Sequence, residues 1–391
     1  MSKPFYQVVL FGLIDHRAKG LKTAIQRSLR ELGLERTAIR FFDENDVSHL
    51  SSGLPTLGVF FGYAGAHLDR HPAIRKLLAD SNLIITAVSD LDAVGSEIPE
   101  ELRHINAIRL SLLDENLPRM ASLILESFRL LRKERRLFIS YKRTDSEAVA
   151  NQLYDALDAR GFDVFIDTRK VPPAADFQAE LWHRLADSDV VVLLDTADFR
   201  SSRWTVEELT KANATNIQIL HLLWPGQKED PTSSLSHFKT LSERNFNKGS
   251  FTKTGTLTSV AVAAICNQAE TLRARAISMR HRYLVDGFCD SARSYGLSPD
   301  VQPGRWISVD LPDGKQLAAV PTIGVPTSDR INRVFQDISS SHGGTGGTWL
   351  LYDGRGILKT WQEHLGWLDE YLPVRSLTMA KADKAVEAIV R

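Results

Sequence analysis

The sequence is sparing in four ways, and each removes a class of protein. Only two cysteines occur in 391 residues, Cys266 and Cys289. They make no C-x-x-C and no metal-ligand spacing, so a disulfide scaffold and a thiolate zinc site are not expected, and a reduced cytoplasmic setting is. Charge of one sign is missing: 48 Lys and Arg balance 48 Asp and Glu. A balanced chain has no overall field to draw it onto nucleic acid or an anionic membrane, and little self-repulsion to keep copies apart. No run of about 18 uncharged apolar residues is present, so no membrane span is expected. The opening Met1-Ser2-Lys3-Pro4-Phe5 lacks the apolar stretch of a secretion signal.

What is present reads as globular. Hydrophobic residues make up 43% and charged residues 25% of the chain, and this length calls for two or three domains of about 100–150 residues each. Short apolar runs alternate with amphipathic segments, the pattern of α/β units around parallel sheets. In the first part, Gln7–Gly12, Ala38–Phe42, Gly58–Gly62 and Leu83–Val88 read as strands, with helices at Leu21–Leu32, Pro72–Asp80 and Leu117–Lys133. In the middle part, strands are expected at Arg136–Ser140, Asp163–Ile166, Val190–Leu194 and Ile217–Trp224. Helices are expected there at Asp145–Arg160, Phe177–Leu185 and Thr205–Ala214, and Gln227–Gly255 reads as a polar loop. The last part opens with a long helix near Leu257–Tyr295. A hairpin of Trp306–Val309 and Gln316–Val320 follows, turning at Pro312-Asp313-Gly314. Helices at Asp329–Ile338, Leu358–Tyr371 and Lys384–Val390 then alternate with strands at Thr348–Tyr352 and Arg375–Met379.

The first two parts share a plan. Leu78-Ala79-Asp80-Ser81 before an apolar run matches Leu185-Ala186-Asp187-Ser188 before another. At the same offset Glu100-Glu101-Leu102 falls on Glu207-Glu208-Leu209. Gly33 matches Gly161 at a different offset. The division expected is 1–133, 134–268 and 269–391.

Four motifs in order carry a family resemblance. Arg136-Leu137-Phe138-Ile139-Ser140-Tyr141-Lys142-Arg143-Thr144-Asp145 is an opening strand and its loop. Gly161-Phe162-Asp163-Val164-Phe165-Ile166-Asp167 is a second strand ending in an acid. Leu185–Leu194 is a helix end, a serine, an acid and an apolar run. Ser202-Arg203-Trp204-Thr205-Val206-Glu207-Glu208-Leu209 has the form S-x-W-x-x-x-E-L. Together they resemble TIR (Toll/interleukin-1 receptor) domains of the bacterial NAD-cleaving type that act against phage. The implied architecture is a central flavodoxin-like TIR domain with a parallel sheet. It follows a divergent TIR-like α/β domain and precedes a small α/β domain. The loop after Asp167 departs from the family, carrying Pro172-Pro173 and Ala174 where a glycine is usual, which stiffens a segment that commonly mediates assembly.

Trp204 and Glu208 are four apart, on one face of a helix start. Open α/β sheets bind ligands beyond the C-terminal ends of their strands. The resemblance makes Glu208 the catalytic carboxylate and Ser140, Tyr141, Arg143, Asp167 and Trp204 substrate contacts. NAD+ is then substrate, and neither a cofactor nor a metal is called for. Breaking the ribose–nicotinamide bond builds oxocarbenium character that an anion stabilises, and the cationic leaving group needs no general acid. Whether the product is hydrolysed or cyclised is left open, and a non-catalytic adaptor is the alternative. In the first copy the position of Trp204 holds Glu97, so Glu101 has no stacking partner and that copy is expected to be inactive. Self-association through TIR domains is implied. A partner protein or signal ligand is expected at the C-terminal part, and neither membrane nor nucleic acid is. The basic group Arg132, Lys133, Arg135 and Arg136 lacks interleaved aromatics. Trp361, His364, Trp367 and Tyr371, at helical spacing, read as core. Asp353-Gly354-Arg355-Gly356 reads as a tight turn, with an anion cradle as its alternative.

Overall fold

The computed structural model describes residues 5–51, 53–110, 116–166, 177–197, 199, 215–229, 236–302, 304–341 and 346–390. The chain divides into two compact units, residues 1–133 and 134–391.

The first unit is built on β1 (Tyr6–Gly12), β2 (Ile39–Asp43), β3 (Thr56–Phe61), β4 (Leu83–Val88) and β5 (Ile108–Arg109). They form one sheet in the order β2-β1-β3-β4-β5, with every pair parallel. Helices α1 (His16–Glu31), α2 (Pro72–Ala79) and α3 (Leu117–Ser127) accompany it. α3 is shorter than the apolar pattern suggested. Arg129 turns to φ 58° and the Leu130 N–H closes on Leu125 O at 2.8 Å, which seats Leu130 and Leu131 in the core instead of carrying them round the helix.

The second unit begins by repeating that order. β6 (Arg136–Ser140), β7 (Asp163–Ile166), β8 (Val190–Asp195), β9 (Gln218–Leu223) and β10 (His237–Thr240) lie as β7-β6-β8-β9-β10, again all parallel. The two sheets therefore share the flavodoxin-like 2-1-3-4-5 winding. The helix-to-strand corners match too. Gly33 after α1 and Gly161 after α4 (Arg143–Asp158) both take positive φ, 68° and 80°, the left-handed turn that ends a helix. All six residues of β8 are buried, as a central parallel strand covered on both faces requires. One face packs with α4 around Leu153 and Val192; the other packs with α5 (Phe177–Asp187) around Leu185 and Val191. β10 lies in the stretch expected to be loop. It is an edge strand, only partly covered, and an edge needs little apolar sequence.

One helix then serves two sheets. α6 (Ser259–Ser294) runs unbroken through position 268/269. Ile265, Cys266, Ala269 and Leu272 pack into the core of the second sheet, while Val285, Phe288 and Cys289 pack against a third. Its polar residues hold the strand starts. The buried Arg273 reaches Asp189 at 3.3 Å, Glu270 pairs with Arg135, and Arg280 donates to Ser188 O and Ala186 O. The third sheet joins β11 (Pro299–Val301), β12 (Ile307–Asp310), β13 (Gln316–Pro321), β14 (Thr348–Tyr352) and β15 (Val374–Thr378) in chain order. Its first two pairings are antiparallel and its last two parallel. Helices α7 (Ser328–Ser341), α8 (Lys359–Asp369) and α9 (Met379–Val390) complete it.

The aromatic stripe of α8 meets the expectation of core only at Trp361, which packs against the third-sheet core; His364, Trp367 and Tyr371 are exposed. Leu365 is the buried residue of that helix, whereas Trp367 is 55% and Tyr371 70% exposed. His364 stacks on Trp367 at 5.9 Å, and Trp367 meets Tyr371 at 5.5 Å, an outward-facing ladder.

Candidate functional site

The C-terminal rim of the second sheet gathers the groups that chemistry would use. β6 delivers Ser140 there, opposite Leu193 of β8, which in turn pairs with His221 of β9; His221 pairs with Phe238 of β10. Alternation along strands places this row on one face of the sheet. Asp195, two residues beyond Leu193, lies on that face as well.

Within the row, His221 Nε2 and Asp195 Oδ2 are 2.8 Å apart, with side-chain exposures of only 4% and 1%. The imidazole stacks on Phe238 at 4.9 Å. Among the described residues neither His221 Nδ1 nor Ser140 Oγ has a hydrogen-bond partner, although both are buried. Leaving such a group unpaired is unfavourable, by about 1–3 kcal/mol in proteins.

The first loop is tied to the end of β8. The Thr196 hydroxyl donates to Asp145 Oδ2 at 2.8 Å, the Thr144 hydroxyl donates to Asp145 Oδ1 at 2.5 Å, and Lys142 Nζ stands 3.9 Å from Asp145. Ser146 breaks the helical geometry of α4 at φ −140°, ψ 24°, a kink one residue past this tie.

Of the residues singled out from sequence, Ser140 is fully buried, and Tyr141 is a core residue packed with Val149 and Leu153. Arg143 is exposed at the first position of α4. Asp167, Trp204 and Glu208 lie outside the described residues. In the first unit, Glu97, the counterpart of Trp204, has a defined task. Its carboxylate accepts from the Ser89 N–H at 2.8 Å and from the Ser89 hydroxyl, closing the turn after β4. Sequence reasoning missed Asp195 and His221. The signals were an acid closing a wholly apolar strand and a lone histidine inside another. Among the described residues no cluster of His, Cys, Asp and Glu is arranged to hold a metal ion. No helix among them is long and apolar enough to cross a membrane.

A five-stranded parallel sheet wound 2-1-3-4-5, with its polar groups gathered at the strand ends, defines a flavodoxin-like α/β domain. Residues 137–254 match the family model of the TIR domain, and this part of the chain is a TIR domain. No curated protein matches the chain. Among solved structures, it is similar to the tagatose-6-phosphate ketose/aldose isomerase of Escherichia coli. That likeness is 11% identical over 71% of this chain and 83% of the other, at a TM-score of 0.22. The D-lactate dehydrogenase of Escherichia coli is 13% identical over 72% and 97%, at 0.19. Scores this low carry no argument about fold or activity.

Proposed function

We propose that the TIR domain cleaves the nicotinamide–ribose bond of NAD+, with Glu208 as the catalytic carboxylate and Trp204 stacking on a ring of the substrate. The observation that carries this reading is the family match over residues 137–254, which spans the Ser202-x-Trp204-x-x-x-Glu208-Leu209 signature. The carboxylate stabilises oxocarbenium charge as nicotinamide leaves, and water or an internal nucleophile of the ADP-ribose completes hydrolysis or cyclisation. Arg143 and Asp167 serve as substrate contacts, with Ser140 and Tyr141 shaping the floor beneath. Copies assemble through their TIR domains to become active, the setting is the cytoplasm, and the biological role is defence against phage. The part after the TIR domain receives the signal or partner. Incubating the full chain with NAD+ and measuring free nicotinamide tests this. Wild type is expected to release it, Glu208→Ala to release none while keeping its unfolding midpoint, and Glu101→Ala to match wild type. Near wild-type turnover in a folded Glu208→Ala protein overturns the assignment.

A second reading, a non-catalytic adaptor working through assembly, is favoured by one observation. Ser140 and Tyr141, both expected to touch substrate, are buried at 0% and 6% exposure. Under that reading the protein assembles and releases no nicotinamide at any concentration.

A further inference from the structure

The described part of the second unit holds a cavity of about 540 Å³ between α5 and the loop that leads from β14 into α8. That volume is within the range of small-molecule sites, roughly 300–1,000 Å³. Trp182 and Leu185 of α5, Ile217 just before β9, and Ile357 and Leu358 of the loop give it apolar walls. Among the described lining residues two are charged, Arg355 and Lys359, and both are cations.

Arg355 is held in a built setting, while Lys359 reaches out from the rim, 91% exposed and 3.8 Å from Glu363. Arg355 Nε and Nη2 donate to Asp353 at 2.9 and 2.6 Å, and its guanidinium lies 4.9 Å from the centre of the Tyr283 ring. Lys359 opens α8, and the cap residue Leu358 offers that helix no side-chain hydrogen bond. The first N–H groups of an eleven-residue helix therefore add partial positive charge on the same side.

The wall beside the cavity is close-packed, so the space is not slack between poorly fitted parts. Gly356 has φ +77°, and a Cβ there would stand 3.2 Å from Trp182 O and 3.3 Å from Ala186 Cβ. Only glycine lets the loop lie so near α5. The Leu358 N–H donates to His183 Nδ1 at 3.3 Å, and the Val325 N–H to Asp187 Oδ1 at 3.0 Å. Leu185 and Ile217 stand just before β8 and β9, so the cavity faces the starts of those strands, at the end of the sheet away from Ser140 and Asp195.

We infer that this cavity is a binding site for a small amphipathic anion. A flat apolar body lies against Trp182 and Ile217, and a carboxylate, sulfonate or phosphate group meets Arg355, Lys359 and the start of α8. Because one wall is a TIR helix and the other a loop of the third sheet, the occupant fastens one to the other. The inference does not depend on NAD+ cleavage.

The full chain is titrated with 8-anilinonaphthalene-1-sulfonate and, separately, with N-phenyl-1-naphthylamine, which has the same rings and no anionic group. Wild type is expected to bind the sulfonate at one saturable site per chain, at least about fivefold more tightly than the neutral amine, the worth of one partly screened charge contact. Lys359→Glu, at a side chain 91% exposed, should lose about the same factor for the sulfonate with an unchanged unfolding midpoint. Ala179→Phe, which puts a ring into the cavity, should abolish saturable binding of both probes. No saturable binding by wild type, equal affinity for the two probes, or undiminished sulfonate binding in Lys359→Glu each overturns the proposal. If Ala179→Phe fails to fold, the Lys359→Glu titration decides by itself.

Discussion

Asp195, at the end of β8, and His221, inside the neighbouring parallel strand β9, share a 2.8 Å hydrogen bond in a part of the sheet where neither side chain meets water. Two polar groups so placed each lower the cost of burying the other, and removing one takes away part of that compensation.

His221→Ala and Asp195→Asn should therefore each destabilise the second unit, by about 1–3 kcal/mol for a buried group deprived of this hydrogen bond. The double variant should be less unstable than the sum of the two. Chemical denaturation of the three variants in a double-mutant cycle measures this. Strictly additive losses would show that the two side chains do not support each other.

The fastening of α6 to the sheet makes a second expectation. Arg273 and Asp189 are both wholly buried. Arg273→Ala should lower stability by about 3–5 kcal/mol, because it removes the buried cation that Asp189 faces at 3.3 Å. Arg273→Lys should not restore it, since an ammonium cannot reproduce the planar fork that spans Asp189 and Glu134 O. Full rescue by lysine, read from unfolding midpoints, would reduce the role of Arg273 to its charge.

Acid should loosen the second unit. Burial, helped by the nearby charge of Arg305, pushes His281 down to about 3, and burial also lowers His183, whose Nδ1 accepts the Leu358 N–H. The unfolded chain takes up these protons near the ordinary value of about 6.5 and the folded chain does not, so stability falls as pH drops below that value. The unfolding midpoint should be lower at about pH 5 than at about pH 7, and His281→Gln should flatten part of the slope. A midpoint that holds or rises toward pH 5 contradicts this.

Removing residues 1–133 should alter how activity depends on concentration and leave the chemistry alone. The removed segment is a compact unit with its own sheet, wound like the TIR sheet, and a second sheet of the same plan is suited to occupy or template the place of a neighbouring TIR domain. Nicotinamide release measured against enzyme concentration distinguishes the outcomes. Superimposable linear profiles for full-length and shortened chains would show that the first unit has no part in control.

Much of the architecture was written locally. Strands such as Val190–Asp195 and Gln218–Leu223 are buried throughout because both faces are covered, and their largely apolar sequence records that without reference to any partner. Glycines 33 and 161 mark helix ends because left-handed backbone selects them. The repeated plan was legible for the same reason, as was the TIR signature, whose residues lie close together along the chain.

What the sequence by itself determined was therefore which segments form elements and which faces are apolar. Tertiary structure alone decided who meets whom. His221 finds Asp195 only because β9 is laid beside β8; β10, whose residues look like loop, becomes a strand only because an edge was open to it. Tyr141, a rim residue by motif, is covered once α4 packs down, and Ser140 is buried on the opposite face of the sheet, in the row of Leu193. α6, read as one long helix, is divided between two cores by what lies along its length, and the cavity beside Trp182 exists only where a glycine loop from the third sheet meets a helix of the second. Such pairings come from packing over long sequence separations, and local periodicity carries no term for them.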